Sequence, residues 1–152
     1  SLYRSISELV PDSNYHIPLE SAKIIQSGED LTIISYGLAI QWVKNIINQN
    51  PSYRLSIELI DLRTLLPWDK NTVMKSVKKT NKVMIIHEDN LNGSISGEIS
   101  AYIVENGFEY LDAPIMRLGA IDSPIPFADN LEKEIYMPIN KIEENIKKLL
   151  EY

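Results

Sequence analysis

The sequence predicts an α/β protein. It would be a three-layer α/β/α sandwich on a five-stranded mixed sheet, with the first strand antiparallel to the other four. Three observations predict this. Short apolar runs bounded by turn residues alternate with longer segments whose apolar residues recur at helical spacing. Only Ser27-Gly28-Glu29-Asp30 separate the first two strands, too few residues for a parallel crossover, so these two run antiparallel. Helices fill the connections from the second strand to the fifth, as right-handed parallel crossovers require.

Residues 1–21 are irregular, with Pro11-Asp12-Ser13-Asn14 as a turn and Ile17-Pro18-Leu19 as an extended piece. Ala22–Gln26 is the first strand, and Leu31–Tyr36, almost wholly apolar, is the second. Gly37 ends it. A helix over Leu38–Asn48 follows, with Leu38, Trp42, Val43, Ile46 and Ile47 on one side and a stop at Asn50-Pro51. Leu55–Asp61 is the third strand, and Leu62-Arg63-Thr64-Leu65-Leu66-Pro67 leads out of it. Asp69 stands where it would cap a helix over Lys70–Thr80, whose apolar face is Val73, Met74 and Val77. Val83–Ile86 is the fourth strand, and it breaks at His87-Glu88-Asp89 into a loop carrying Gly93 and Gly97. The helix that follows turns Ile95, Ile99, Tyr102 and Ile103 to one face and stops at Asn106-Gly107. Pro114–Leu118 is the fifth strand, ending at Gly119, and Ile121–Pro126 is a proline-set loop. A helix over Lys141–Glu151 closes the chain. Asn140 and Glu143 have capping-box spacing, and Ile142, Ile146, Leu149 and Leu150 form the buried face. No repeat, low-complexity tract or linker divides residues 1–152, so one domain is expected.

A chain of 152 residues buries roughly 70% of the surface its unfolded form exposes, so it needs no staples. Its apolar fraction of 44% and charged fraction of 24% are ordinary for a globular domain. The net charge of −6 argues against a nucleic-acid groove, which needs a basic stripe. The basic cluster Lys75, Lys78, Lys79 and Lys82 reads as a solvated helix face. There is no cysteine, hence no disulfide and no thiolate chemistry; a cytoplasmic location is expected. No apolar run approaches the about 18 residues of a membrane helix, and no signal peptide is expected in residues 1–21. The chain starts at Ser1-Leu2-Tyr3-Arg4 without Met. It is expected to be part of a longer protein, with residues 1–21 leading in from an upstream domain.

In an open α/β sheet, ligands and partners gather beyond the carboxyl ends of the strands. His87, Glu88, Asp61, Arg63, Gly93 and Asp122 belong to that edge. His87 with Glu88 offers acid–base chemistry; the plainer role, bonds to loop backbone or to a partner, is preferred. An Asp61–Arg63 bridge is expected to tie loops together. Gly93 and Gly97 before a helix offer backbone N–H groups to an anion, but a turn-and-packing role is preferred. His16 is expected at the surface. With two histidines, no cysteine and no His-x-x-x-His, no metal site is expected. G-x-S-x-G, the Walker motif and G-x-G-x-x-G are absent. The residues therefore describe a domain without a complete active site of its own: no catalytic and no cofactor-binding residue is assigned.

A long ordered series of short pieces resembles a known family. It starts with Leu2-Tyr3-Arg4, Val10-Pro11, Tyr15-His16-Ile17-Pro18-Leu19 and Ser35-Tyr36-Gly37. It continues through Ile60-Asp61-Leu62-Arg63-Thr64-Leu65, Pro67, Asp69, Ser76–Thr80, His87-Glu88, Gly93 with Glu98-Ile99, and Leu111–Pro114. It ends with Asp122–Phe127 and Tyr136-Met137-Pro138. The series is similar to the carboxyl-terminal domain of the beta subunit of 2-oxoacid dehydrogenase decarboxylases, in the transketolase-like thiamin diphosphate family. His87-Glu88 and the Tyr-x-Ile-Pro-Leu run look most like the branched-chain (2-oxoisovalerate) enzymes. Pyruvate and acetoin dehydrogenases and deoxyxylulose phosphate synthase are the neighbouring alternatives. The family's Gly-Gly-x-Gly-Ala-Glu-Ile run is altered here: Ser94 and Ser96 replace glycines, and Gly97 replaces the Ala.

The resemblance implies a mixed sheet of this kind and an enzyme that decarboxylates a 2-oxoacid and acylates a lipoyl group. It implies thiamin diphosphate and magnesium in the full enzyme but not in this domain, so the isolated chain is expected to be inactive. The partners it implies are the decarboxylase alpha part, a second beta subunit, and the subunit-binding domain of the acyltransferase, for which Tyr152 is a candidate contact. A reading of a different class is a stand-alone binding or regulatory module holding a small anion at His87, Gly93 and Asp122.

Overall fold

The computed structural model describes residues 7, 9–128, 130–132 and 139–152. Leu2-Tyr3-Arg4, Tyr136-Met137-Pro138 and the Asn140 side chain, with its expected capping role, lie outside the described residues. The strands are β1 (Lys23–Gln26), β2 (Leu31–Ser35), β3 (Ile57–Asp61), β4 (Val83–Asn90) and β5 (Met116–Ala120). The helices are α1 (Leu38–Gln49), the single turn α2 (Tyr53–Ser56), α3 (Lys70–Thr80), α4 (Ile95–Gly107) and α5 (Ile139–Leu150), with a 3-10 turn at Phe108–Tyr110. The five strands lie in the order β1-β3-β2-β4-β5. β1 is antiparallel to β3, and all other pairs are parallel.

Strand side chains alternate between faces, and this sorts the core in two. Leu31, Ile33, Ile57, Leu59, Met84 and Ile86 pack with α1 (Trp42, Val43, Ile46) and α5 (Ile142, Ile146, Leu149). Ile34, Ile60, Val83 and Ile85 pack on the other face with α3 (Val73, Val77) and α4 (Ile99, Ile103). β2 is buried at every position because it is central and covered on both sides. Asp69 caps α3 as expected, accepting from the Thr72 N–H at 2.9 Å. It also accepts from the N–H of Ala22 at 3.0 Å.

Four expectations need correction. β1 does not lie beside β2: it is antiparallel to it, but β3 lies between them. The turn joining β1 and β2 crosses over the start of β3, with Glu29 N–H on the Leu55 carbonyl (3.0 Å) and Asp30 N–H on the Ser56 carbonyl (2.8 Å). Gly28 makes that crossing possible, since a Cβ there would lie 2.2 Å from the Ile57 carbonyl carbon. The third strand begins at Ile57, not Leu55. Residues 53–56 form a helical turn closed by Tyr53 N–H on Asn50 O and Arg54 N–H on Pro51 O, and Leu55 is exposed. The fourth strand does not break at His87 but runs to Asn90. Finally, the basic cluster is not wholly solvated: Lys79 turns inward to pair with Glu58, which is 2% exposed.

Candidate functional site

Asp61, Ser35 and Ile86 share one level of the sheet, so the polar residues just beyond them gather at its carboxyl edge. β4 is irregular there. Ile86 pairs with Leu118, but Asn90 pairs with Ala120, so β4 spends four residues where β5 spends two. His87 follows Val83 and Ile85 onto the α3/α4 face of β4, and its ring is fully buried. Gly119 makes room for it: a Cβ there would lie 2.6 Å from His87 Cε1 and 2.7 Å from the Asp89 carbonyl oxygen.

Both ring nitrogens are engaged. Nδ1 lies 3.0 Å from the Asp89 carbonyl oxygen. A carbonyl only accepts, so Nδ1 carries the proton and Nε2 is the acceptor. The Ser96 hydroxyl, 2.9 Å from Nε2, donates to it. Ser94 Oγ lies 3.1 Å from Nε2 and 2.7 Å from Ser96 Oγ, and it donates to the Leu91 carbonyl at 3.1 Å. The Tyr36 ring stacks on the imidazole with centroids 6.0 Å apart. Burial holds the imidazole below its ordinary value of 6.5; the Asp89 carbonyl and carboxylate oppose this, and the Arg117 guanidinium adds to it. The ring is neutral and is reached only by its own chain.

The other candidates divide. Glu88 is half-buried on β4 and its Oε1 lies near Gly37. The expected Asp61–Arg63 bridge is not between charges: Asp61 accepts from the Arg63 backbone N–H at 3.1 Å, a turn in which Arg63 takes φ 58°. Gly93 has φ 73° with open space around it, so its conformation and not a close contact asks for glycine. Asp122 accepts from the Asn92 side chain and lies 3.4 Å from the Asn92 N, tying the 91–93 turn to the segment after β5. Buried His87 and anionic Asp122 do not form a receptor for an anion. His16 is exposed. Tyr152 is exposed beyond α5.

Sequence reasoning missed the second polar cluster. Glu58 on β3 accepts from Ser76 and Lys79 of α3, with Ser27 Oγ 3.3 Å away. Thr32 bonds Ser76 and, at 2.7 Å, Thr80. Burial raises the Glu58 carboxyl, but the bonds and charge of Lys79 with those of Ser76 and Ser27 outweigh it and leave the group below 4.5. Its signal was a lone carboxylate between Ile57 and Leu59, opposite serine and threonine on α3's inner side.

The model of the transketolase C-terminal domain matches residues 20–142. The chain belongs to that family. Members similar to it include the mitochondrial 2-oxoisovalerate dehydrogenase beta subunit of Dictyostelium discoideum, 42% identical over 99% of this chain. The mitochondrial 2-oxoisovalerate dehydrogenase beta 2 subunit of Arabidopsis thaliana is 38% identical over 99%, and the pyruvate dehydrogenase beta subunit of Cyanidium caldarium is 34% identical over 99%. The chain spans 40%, 42% and 46% of their respective lengths. Among solved structures, a split-gene transketolase described as an inactive beta4 tetramer superposes with a TM-score of 0.74 over 93% of this chain and 44% of its own, at 17% identity. The five-stranded mixed sheet of this transketolase C-terminal domain is thus a shared fold.

Proposed function

We propose that this chain is the carboxyl-terminal assembly domain of the beta subunit of a 2-oxoacid dehydrogenase decarboxylase acting on 2-oxoisovalerate. The observation that carries this reading is the state of His87. The one histidine at the carboxyl edge is buried, neutral and bonded at both nitrogens within the chain, so it braces the edge and does not move protons. In this reading the alpha part and a second beta subunit cover the domain, and Tyr152 is available to the acyltransferase.

Thiamin diphosphate with magnesium is what the family implies for the whole enzyme, where it would supply an electron sink for decarboxylation. Among the described residues no three His, Asp or Glu side chains converge to hold a divalent ion. No chemical step is assigned to these residues.

The test is to co-express the whole beta subunit with its alpha part and follow 2-oxoacid-dependent reduction of an artificial electron acceptor. 2-Oxoisovalerate is expected to be favoured. Preference for pyruvate would move the assignment to the pyruvate enzymes, and no turnover of any 2-oxoacid would sink it. The 152-residue chain alone is expected to show no heat of binding with thiamin diphosphate and magnesium; micromolar affinity would contradict its assignment as an assembly domain.

A further inference from the structure

Asparagine is followed directly by glycine at Asn92-Gly93 and at Asn106-Gly107. In such a pair the asparagine side chain is open to attack by the next backbone nitrogen, because glycine has no side chain to shield it. The fold treats the two pairs differently. Asn106-Gly107 closes α4, so the Gly107 N–H belongs to the hydrogen-bonded last turn. The Asn106 amide donates to the Tyr102 carbonyl at 2.8 Å. Gly107 is buried, with Met74 Cε 2.5 Å from where a Cβ would stand.

Asn92-Gly93 lies in the exposed turn between β4 and α4. The Gly93 N–H donates to no group among the described residues, and nothing lies within 4 Å of where its Cβ would stand. Among the described residues, Asn92 is held by Asp122, through the side-chain amide and, at 3.4 Å, the backbone N. Both partners are exposed, so this tie can open and close without disturbing the core.

We propose that Asn92 is a modification site, where the side-chain amide is lost to give an aspartyl or isoaspartyl residue. The Gly93 nitrogen bonds to Asn92 Cγ and gives its proton to solvent. The Cγ–Nδ2 bond breaks, and the amide nitrogen takes a proton from water and leaves as ammonia. Water then opens the cyclic imide on the side-chain or the main-chain side, and either way a carboxylate results. The attack is intramolecular, so it needs only the right backbone geometry and no catalyst. The product sets one carboxylate against another at Asp122, and the tie becomes a repulsion. The new charge stands ahead of the first turn of α4, where the helix dipole accepts it. The helix is therefore expected to stay while the turn parts from the sheet edge. Next in line is the bond from the Leu91 N–H to the Ala120 carbonyl, at 3.0 Å. The Leu91 carbonyl is in turn held by Ser94 Oγ, which touches His87.

The test is peptide mapping by mass spectrometry of the full-length subunit that contains this chain, aged at neutral pH both folded and in urea. In urea both asparagines should convert. In the folded protein Asn92 should convert, and Asn106 should lag about tenfold or more, since freeing Gly107 breaks a helix bond. Equal rates in the folded protein would overturn the proposal, as would an Asn92 that stays intact while the urea sample converts. The structural consequence is read by amide exchange at Leu91. Asn92→Asp should speed it about tenfold, and adding Asp122→Asn should recover most of the change, since an amide again faces a carboxylate with the roles exchanged. Exchange unmoved by the first change, or not recovered by the second, would rule out the tie to Asp122 as what the modification breaks. None of these readouts depends on 2-oxoacid turnover, which tests the functional reading separately.

Discussion

Two polar clusters lie on the same face of the sheet, with β2 between them, and they solve burial in opposite ways. Under α3, Glu58 stays charged because Lys79, with a side chain one-third exposed, brings a counter-ion from the solvent side. Under α4, His87 is hydrogen-bonded only by hydroxyls and a carbonyl, and the nearby Asp89 carboxylate does not outweigh burial, so the ring sheds its charge. A buried ionisable group keeps its charge only where a partner offsets the lost hydration. The first cluster therefore depends on one residue, and the second on shape and on three modest hydrogen bonds.

The change expected to break this contrast most is Lys79→Met. It leaves the Glu58 carboxylate buried without its cation and should cost about 3 kcal/mol of unfolding free energy at neutral pH. It should also reverse a sign. With Lys79 present the folded carboxyl sits below 4.5, so its stabilisation is present above that value and lost as pH falls through the folded one. Without Lys79, burial dominates and raises the group, so the variant should gain stability on acidification. Urea midpoints between about pH 7 and about pH 5 check this, and a variant that only loses stability over that range would refute it.

Next in size is Gly119→Ala, which drives a methyl into the His87 ring and the Asp89 carbonyl and should cost about 2 kcal/mol in the same assay. The His87 cluster has its own acid sensitivity. A folded value below 6.5 means its contribution is complete above 6.5 and fades as pH falls below it, well before Glu58 responds. His87→Gln should flatten the stability profile just below 6.5 and leave the region under 4.5 unchanged; a profile identical to the parent would show that His87 does not titrate there. The smallest effect is expected of Ser96→Gly, which restores the family's glycine. It removes the shorter of the two hydroxyl contacts to Nε2 and should cost about 1 kcal/mol. It should also shift the His87 imidazole proton resonance, and an unmoved resonance would disprove the hydrogen bond.

Much of the architecture was readable. Helical spacing placed α1, α3 and α4, and Asp69 stood where a cap belongs. The short link after β1 correctly required antiparallel strands, but neighbours in sequence need not be neighbours in a sheet, and no local pattern reports that β3 slips between them. At the carboxyl edge, three consecutive polar residues looked like the end of a strand. They continue it because β5 offers Gly119 and α4 offers two serines, all supplied from 7 to 32 residues away along the chain. Ser94 and Ser96 were visible as departures from the family's glycines, but their meaning needed the buried ring they bond. Glu58 was hidden for the same reason: its counter-ion lies 21 positions on, and long-range pairing leaves no periodic trace.

Asp69 holds the start of α3 and the backbone of Ala22 with a single carboxylate. The strand that enters the sheet and the helix on its far side thus hang from one pin. A tug on the incoming chain is felt first at the opening turn of α3, and one proton on that oxygen pair would loosen both at once. Whatever swings residues 9–21 against a neighbour would therefore reach the sheet as a change in helix fraying, which amide exchange at Ala22 and Thr72 would report in step.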